Sequence, residues 1–320
     1  MKQVLDSVRH VIKNARQVRI DSNNLSLLAD QIASEGYKIP PWDYLHHYFD
    51  GTEKTLYYLL VLDTLNFCFW PLPGQRRWTI RYGGQELPGY NGLAVALKRS
   101  FELGPSLDDP ERLASLSMSE LLKVLGGEGP LQLMEQRLAA IKELGRYLLK
   151  KWSGSPARLV EAAKGSAVDL ALMLGNELGS FRDIAVYNGR RVYFYKRAQI
   201  LAADIYGAFQ GKHWGEFYDM DRLTAFADYK LPQVLRHLGI IVYSSELAAT
   251  VDSRQLIPQG SPAEVEIRAH TIAAVDRLCA ELRKKGIDIR PFEIDWILWN
   301  MGQKDKFRVK PYHRTVTIFY

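Results

Sequence analysis

The sequence predicts a mainly α-helical fold with a small β-sheet, and three observations carry that expectation. Apolar residues recur at three- and four-residue spacing through most of the 320 positions. Only a few short stretches alternate, and these are bounded by turn residues. No Pro-, Gly- or Ser-rich linker interrupts the chain, so one compact domain over residues 1–320 is expected. A composition that is 47% hydrophobic and 24% charged supports a sizeable core and excludes disorder as a class.

The elements follow in order. Val4, Leu5, Val8, Val11 and Ile12 share a helix face, and Ser22-Asn23-Asn24 caps a second helix carrying Leu25, Leu28, Ala29 and Ile32. Residues 78–82 alternate and run into Gly83-Gly84, the pattern of a hairpin. Ser117 and Glu120 have the spacing of a capping box ahead of Leu121, Leu122 and Leu125. Residues 131–152 place Leu138, Ile141, Leu144 and Leu148 on one face, and 167–178, 197–209 and 272–285 continue the helical pattern. Asn188-Gly189 suits either a hairpin turn or a plain loop, and residues 314–320 read as a terminal strand. The stretches 103–109 and 126–130 are the only weak candidate boundaries.

Lys and Arg number 42 against 36 Asp and Glu, a net charge of +6. That excess suits a phosphorylated ligand and falls short of a polybasic nucleic-acid binder. Cys68 and Cys279 stand in no Cys-x-x-Cys or Cys/His cluster, which excludes a disulfide scaffold and a thiolate zinc site. A reducing, cytoplasmic compartment is expected. Charges interrupt the N-terminal apolar positions, so neither a signal peptide nor a membrane span is expected. GxGxxG, GxxxxGK[ST], HExxH and GxSxG are all absent, which removes most of the case for hydride transfer, phosphate-loop chemistry, metal hydrolysis and serine acyl transfer. No metal or cofactor is implied. Chemistry by carboxylates and basic groups beside aromatic surfaces remains.

Four clusters concentrate such groups. Asp63 and Asn66 interrupt an apolar run that ends in Phe67, Phe69 and Trp70. They either cap backbone ends or serve a site. In YKRAQILAAD, helical spacing aligns Lys196, Gln199 or Ile200, and Ala203 or Asp204, with Arg197 alongside. In FADYKLPQVLRHLG, Asp228-Tyr229-Lys230 breaks one helix and opens the next, giving helix, short hairpin, helix with backbone N–H groups free for a phosphate. Asp228 is either a cap or a catalytic group. In EVEIRA, Glu264, Glu266 and Arg268 alternate just before a helix. Asp295, Trp296, Trp299 and PYHR, with His313, complete the set.

LDTLNFCFW, RYGG with Gly89-Tyr90, SFRD, YKRAQILAAD, FADYKLPQVLRHLG, EVEIRA and PYHR together resemble the queuosine salvage protein family, the queuosine 5′-phosphate N-glycosylases. The resemblance runs from about Asp63 to the C-terminus. It implies hydrolysis of queuosine 5′-phosphate to queuine and ribose 5-phosphate, and a helical fold like that of helix–hairpin–helix DNA glycosylases. It also implies a small-molecule substrate, with no stable nucleic-acid partner and no membrane.

On that resemblance Asp228 faces the ribose as nucleophile or oxocarbenium stabiliser, with Glu266 the rival for the role. Asp204 or Asp63 holds the guanidine-like edge of the base, with Gln199 beside them and Asn66, Phe69 and Trp70 along its faces. Lys196, Arg197, Tyr229, Lys230, Arg268 and, farther out, His313 are the candidates for phosphate and ribose. The competing readings are a helix–hairpin–helix protein or glycosylase acting on DNA or tRNA, and a carrier that binds queuine without cleaving anything.

Overall fold

The computed structural model describes residues 1–36 and 38–320. From the N-terminus the chain forms α1 (Lys2–Asn14), β1 (Val18–Ile20), α2 (Ser22–Glu35) and α3 (Glu53–Leu65). A hairpin of β2 (Thr79–Tyr82) and β3 (Gln85–Pro88) leads into α4 (Gly89–Leu103). Next come α5 (Pro110–Ser115), α6 (Met118–Leu125), α7 (Met134–Trp152), α8 (Pro156–Ala162) and α9 (Ala167–Glu177). A second hairpin, β4 (Ile184–Tyr187) and β5 (Arg190–Tyr193), precedes α10 (Lys196–Ala208) and α11 (Lys230–His237). The chain closes with β6 (Ile241–Tyr243), α12 (Ser245–Asp252), α13 (Pro262–Lys284) and α14 (Pro291–Met301). No helix among the described residues is long and apolar enough to cross a membrane.

Helices begin where the sequence supplies caps. Thr52, Ser155, Ser166 and Ser261 each accept a hydrogen bond from a backbone N–H two or three residues ahead. Ser117 and Glu120 form both halves of the expected capping box. The cap of α2 is Asp21 rather than the Ser-Asn-Asn run. Asn188 and Gly189, both at positive φ, form the hairpin turn between β4 and β5.

The mainly helical fold with small β content is as expected, and three particulars differ. The β content is three separate two-stranded antiparallel ribbons instead of one sheet, β1 pairing with β6 across most of the sequence. Residues 314–320 form no strand, and Arg314 makes only an isolated bridge to Leu256. The helix–hairpin–helix arrangement around Asp228 is absent, because the segment before Asp228 is not helical. There the N–H of Thr224 donates to Gln199 Oε1 at 2.8 Å and the N–H of Phe226 to Asp295 Oδ2 at 2.7 Å. Side chains from α10 and α14 therefore take the donors that a helix would need for its own carbonyls.

Two apolar cores meet at α13. Val265, Ala269 and Ile272 join the larger core around α1, α3, α4, α7, α9 and α10. Ile267, Ala274, Val275 and Leu278 join the smaller one with α2, α11 and α14. α3 is buried on every side from Thr55 to Leu65, as expected for a helix apolar all round. Its C-terminal carbonyls consequently cannot reach bulk water. Two fully buried arginines satisfy them: Arg197 donates to the carbonyls of Asp63 and Thr64 at 2.8 and 2.6 Å, and Arg137 to those of Leu65 and Phe67. Cations at this end also complement the helix dipole. Replacing Arg137 by Met keeps the hydrophobic volume but strands these carbonyls. Arg137→Met should lower stability by about 2–4 kcal/mol, read from the urea unfolding midpoint.

Candidate active site

A cavity of about 280 Å³ opens between α10 and α14. One wall is a single face of α10, Lys196, Ile200 and Asp204, at successive four-residue steps. The opposite wall is α14, with Asp295, Trp296 and Trp299. Asn66, Phe67 and Phe69 close it from the loop that follows α3, and Phe226 and residues 228–231 from the run into α11. Trp42, His47 and Tyr90 add to the lining. Two glycines permit this packing. Gly89 turns into α4 at φ +61°, a conformation that L side chains rarely adopt. At Gly207 a Cβ would come within 2.8 Å of the Trp42 ring, so the bare backbone of α10 is what Trp42 lies on.

Asp228 is 8% exposed, and its Oδ1 accepts from the N–H groups of Lys230 at 2.7 Å and Leu231 at 3.0 Å. From just ahead of α11 it thus holds the first turn of the helix and occupies the N–H groups expected to bind phosphate. Among the described residues Oδ2 has no hydrogen-bond partner and belongs to a cavity-lining side chain. Lys196 Nζ makes no ion pair among the described residues. Burial pushes the Lys196 ammonium below its ordinary range, opposed chiefly by the charge of Asp228 and also by Asp63 and Asp295. Burial raises Asp295 well above the carboxylate range against the hydrogen bond from Phe226, and the neighbouring Asp228 adds to the rise. Asp204 is likewise raised by burial and then by Asp63. Asp63 is raised by burial and restrained by the amide of Asn66, which donates to Oδ1 at 3.3 Å.

Behind Asp204 a chain of polar contacts leads out of the cavity. Tyr90 Oη stands 3.2 Å from Asp204 Oδ2 and 2.9 Å from His47 Nε2, and His47 Nδ1 stands 2.9 Å from the Asp43 carbonyl oxygen. Burial drops the His47 imidazole to a pKa of about 4, so it is neutral. At the other end the rim is cationic, with Arg77, Lys230 and Arg308. Burial and the two flanking arginines lower Lys230 to about 8. Among the described residues, no three His, Cys, Asp or Glu side chains group to hold a metal ion.

Comparison with known proteins gives this geometry a context. The queuosine salvage protein family model matches residues 46–320. A queuosine 5′-phosphate N-glycosylase/hydrolase of Sphaerobacter thermophilus is 43% identical over 317 residues, 99% of this chain and 97% of the relative. The chain belongs to the queuosine salvage protein family. Proteins of the same name from Dictyostelium discoideum, 38% identical over 84% of this chain and 79% of the relative, and Mus musculus, 33% identical over 98% of both, fall in the same family. The family match begins ahead of Asp63 and takes in His47.

The queuosine salvage residues anticipated from sequence divide into two shells. Asn66, Phe69, Lys196, Asp204, Asp228, Tyr229 and Lys230 line the cavity. Glu266 does not: it lies inside α13, where Oε2 accepts the N–H groups of Arg16, Gln17 and Val18 and Oε1 the hydroxyl of Tyr187. It anchors the start of β1. Arg197 is consumed by the end of α3, and Gln199 by Thr224 and the Phe194 carbonyl. Arg268 is held by a bidentate pair to Asp183 at 2.9 and 2.6 Å and donates to the Ala227 carbonyl at 3.0 Å. It thereby ties the start of α10, whose Lys196 N–H bonds Asp183, to the residue before Asp228. His313 is buried against Tyr320 at 3.2 Å, and Trp70 packs beneath the loop with Cys68 and Tyr320. Asp63 is fully buried behind Asn66.

Arg77, Arg308, Trp42 and His47 join the site without a sequence signal, since each sits in an irregular loop or terminus. Asp295, Trp296 and Trp299 are singled out in the sequence as a carboxylate and aromatics near the C-terminus, and Tyr90 as part of the family resemblance, but none is given a role there. Because Glu266 is an anchor, Glu266→Gln should lower stability by about 1–3 kcal/mol in urea unfolding. The Trp fluorescence spectrum of the folded variant should stay that of the wild type, as the cavity is not touched.

Proposed function

We propose that this protein hydrolyses the N-glycosidic bond of queuosine 5′-phosphate, releasing queuine and ribose 5-phosphate. In this reading residues 1–320 act as one cytoplasmic glycosidase domain on a small nucleotide, with no stable nucleic-acid partner. The names of its relatives supply the substrate. The observation that carries the chemistry is the meeting of Asp204, Asp228 and Asp295 with the unpaired Lys196 ammonium inside an aromatic cavity.

Cleaving an N-glycosidic bond develops positive charge at C1′ and the ring oxygen of ribose, so a fixed carboxylate beside C1′ lowers the barrier. Asp228 suits that role: two N–H bonds to Oδ1 hold it rigidly and Oδ2 is free. It then serves as the base for the attacking water, or as a nucleophile that water displaces. Lys196 places a cation beside Asp228 within a buried cluster of acids. Phe69, Trp296 and Trp299 supply flat faces for the heterocycle, and Asn66 a hydrogen-bonding edge. The 5′-phosphate goes to the cationic rim of Lys230, Arg77 and Arg308. This rim replaces Arg197, Arg268 and His313, which are committed to other partners.

Incubating the protein with queuosine 5′-phosphate and resolving products by liquid chromatography should show queuine and ribose 5-phosphate in equal amounts. Queuine binding without release would instead make the protein a carrier. Asp228→Asn preserves the N–H bonds through its amide oxygen and removes the charge. It should cut kcat by about 10²–10⁴-fold with KM changed little.

The rim gives a pH signature. Lys230 in the free protein loses its charge as pH rises through about 8. Accordingly kcat/KM for the phosphorylated substrate should fall above that pH, and the nucleoside lacking the phosphate should not show this fall. Equal alkaline behaviour of the two would remove Lys230 from phosphate recognition.

A further inference from the structure

The contacts behind Asp204 fix the position of every proton along them. A backbone carbonyl only accepts, so the 2.9 Å contact between the Asp43 oxygen and His47 Nδ1 requires a proton on Nδ1. The ring is buried, 4% exposed, and among the described residues no acid side chain is bonded to it; the Asp43 carboxylate is turned instead to His46, 2.5 Å away. A neutral ring protonated at Nδ1 carries a lone pair at Nε2. Tyr90 Oη, 2.9 Å from that lone pair, must therefore donate its single proton to it. The same hydroxyl has then nothing to donate to Asp204 Oδ2 at 3.2 Å. Were Asp204 ionised, two lone pairs would face each other in a buried site. The contact is a hydrogen bond only if Asp204 bears the proton and donates it to Tyr90.

We propose that His47 and Tyr90 hold Asp204 as a carboxylic acid, and that Asp204 delivers this proton to the departing base. The first half stands on the hydrogen-bond chain alone; the second rests on the glycosidase reading above. The groups facing Asp204 agree. Asp63 from α3 and Asp295 from α14 oppose its ionisation, Lys196 on its own helix favours it, and Tyr58 is a neutral phenol nearby. Around His47 the ionisable neighbours are Asp43, His46 and Lys98.

The proton has a use. A 7-deazaguanine has carbon where guanine has N7, so its ring offers N3 and O6 as acceptors. As the C1′–N9 bond breaks, its electron pair leaves with the base and the Asp204 proton goes to N3 or O6. The water oxygen bonds to C1′ and its proton passes to Asp228. Exchange of one proton from Asp228 to solvent and one from solvent to Asp204 restores both groups, and the released base moves its added proton to N9 in solution. His47 and Tyr90 are positioning residues here, and Asp204 is the catalytic one.

Infrared spectroscopy of the ligand-free protein at pH 7 tests the first half without any turnover. Wild type minus Asp204→Asn should show one carboxylic C=O band, and its absence would overturn the proton assignment. The second half is read from the pH profile of kcat, in which Lys230 is held charged by bound phosphate. Activity requires the acid form and is lost as pH rises through its pKa. His47→Phe frees the Tyr90 proton to donate to Asp204 and favours the carboxylate, so this alkaline limb should move down by about one pH unit. His47→Gln, which still accepts through Oε1, should restore the limb toward the wild-type position. Asp204→Asn should bind substrate and lose about 10²–10⁴-fold in kcat. A carboxylic band present in the protein together with wild-type turnover in Asp204→Asn would overturn the proton delivery alone. Failure of the wild type to release queuine would overturn the glycosidase reading and leave the infrared result to decide the acid.

Discussion

Everything at this site depends on how the buried C-terminus of α3 is satisfied. A helix end enclosed by protein leaves carbonyls that cost about 1–3 kcal/mol each if unmet. Arg197 and Arg137 meet them with guanidinium forks that stack on Phe67, 5.0 and 4.2 Å from its centroid. The chain is thereby forced to turn sharply after Leu65, and Asn66, Phe67 and Phe69 face the cavity. Arg197 is also the second residue of α10, so the same bond sets the depth of Lys196 and Asp204 relative to α3.

A second buried tie fixes the other carboxylate. Asp183 accepts from the first N–H of α10 and from both ends of the Arg268 fork, and Arg268 reaches on to the carbonyl before Asp228. Asp295 and Gln199 hold Phe226 and Thr224. The strand-like run into Asp228 is therefore suspended from side chains on three helices. Such pre-organisation suits a reaction whose transition state is stabilised by charge placed in advance. Its cost is visible as buried acids and a buried lysine held away from their ordinary ionisation.

Helices were legible in the sequence where apolar spacing or a cap declared them, as at Ser117 and along residues 131–152. The three-ribbon β content was not, because β1 and β6 are three-residue strands from distant parts of the chain. At the site, polar residues in apolar runs marked the right region and did not separate the two shells. Lys196 and Arg197 are adjacent in sequence and equally buried, yet one faces the cavity and the other a helix end. Asp228 and Glu266 are each a carboxylate binding backbone N–H groups, and only the first keeps an oxygen free. Which oxygen is free is decided by tertiary contacts, which periodicity does not encode.

The central claim is that substrate enters the aromatic cavity and is cleaved there under the Asp228 carboxylate. Single-turnover mixing with queuosine 5′-phosphate, following tryptophan fluorescence and product together, tests it most directly. Stacking against Trp42, Trp296 or Trp299 should change the emission before queuine appears, and Asp228→Asn should give that change with no product. Product formed without any fluorescence change, or at an undiminished rate in Asp228→Asn, would contradict the account.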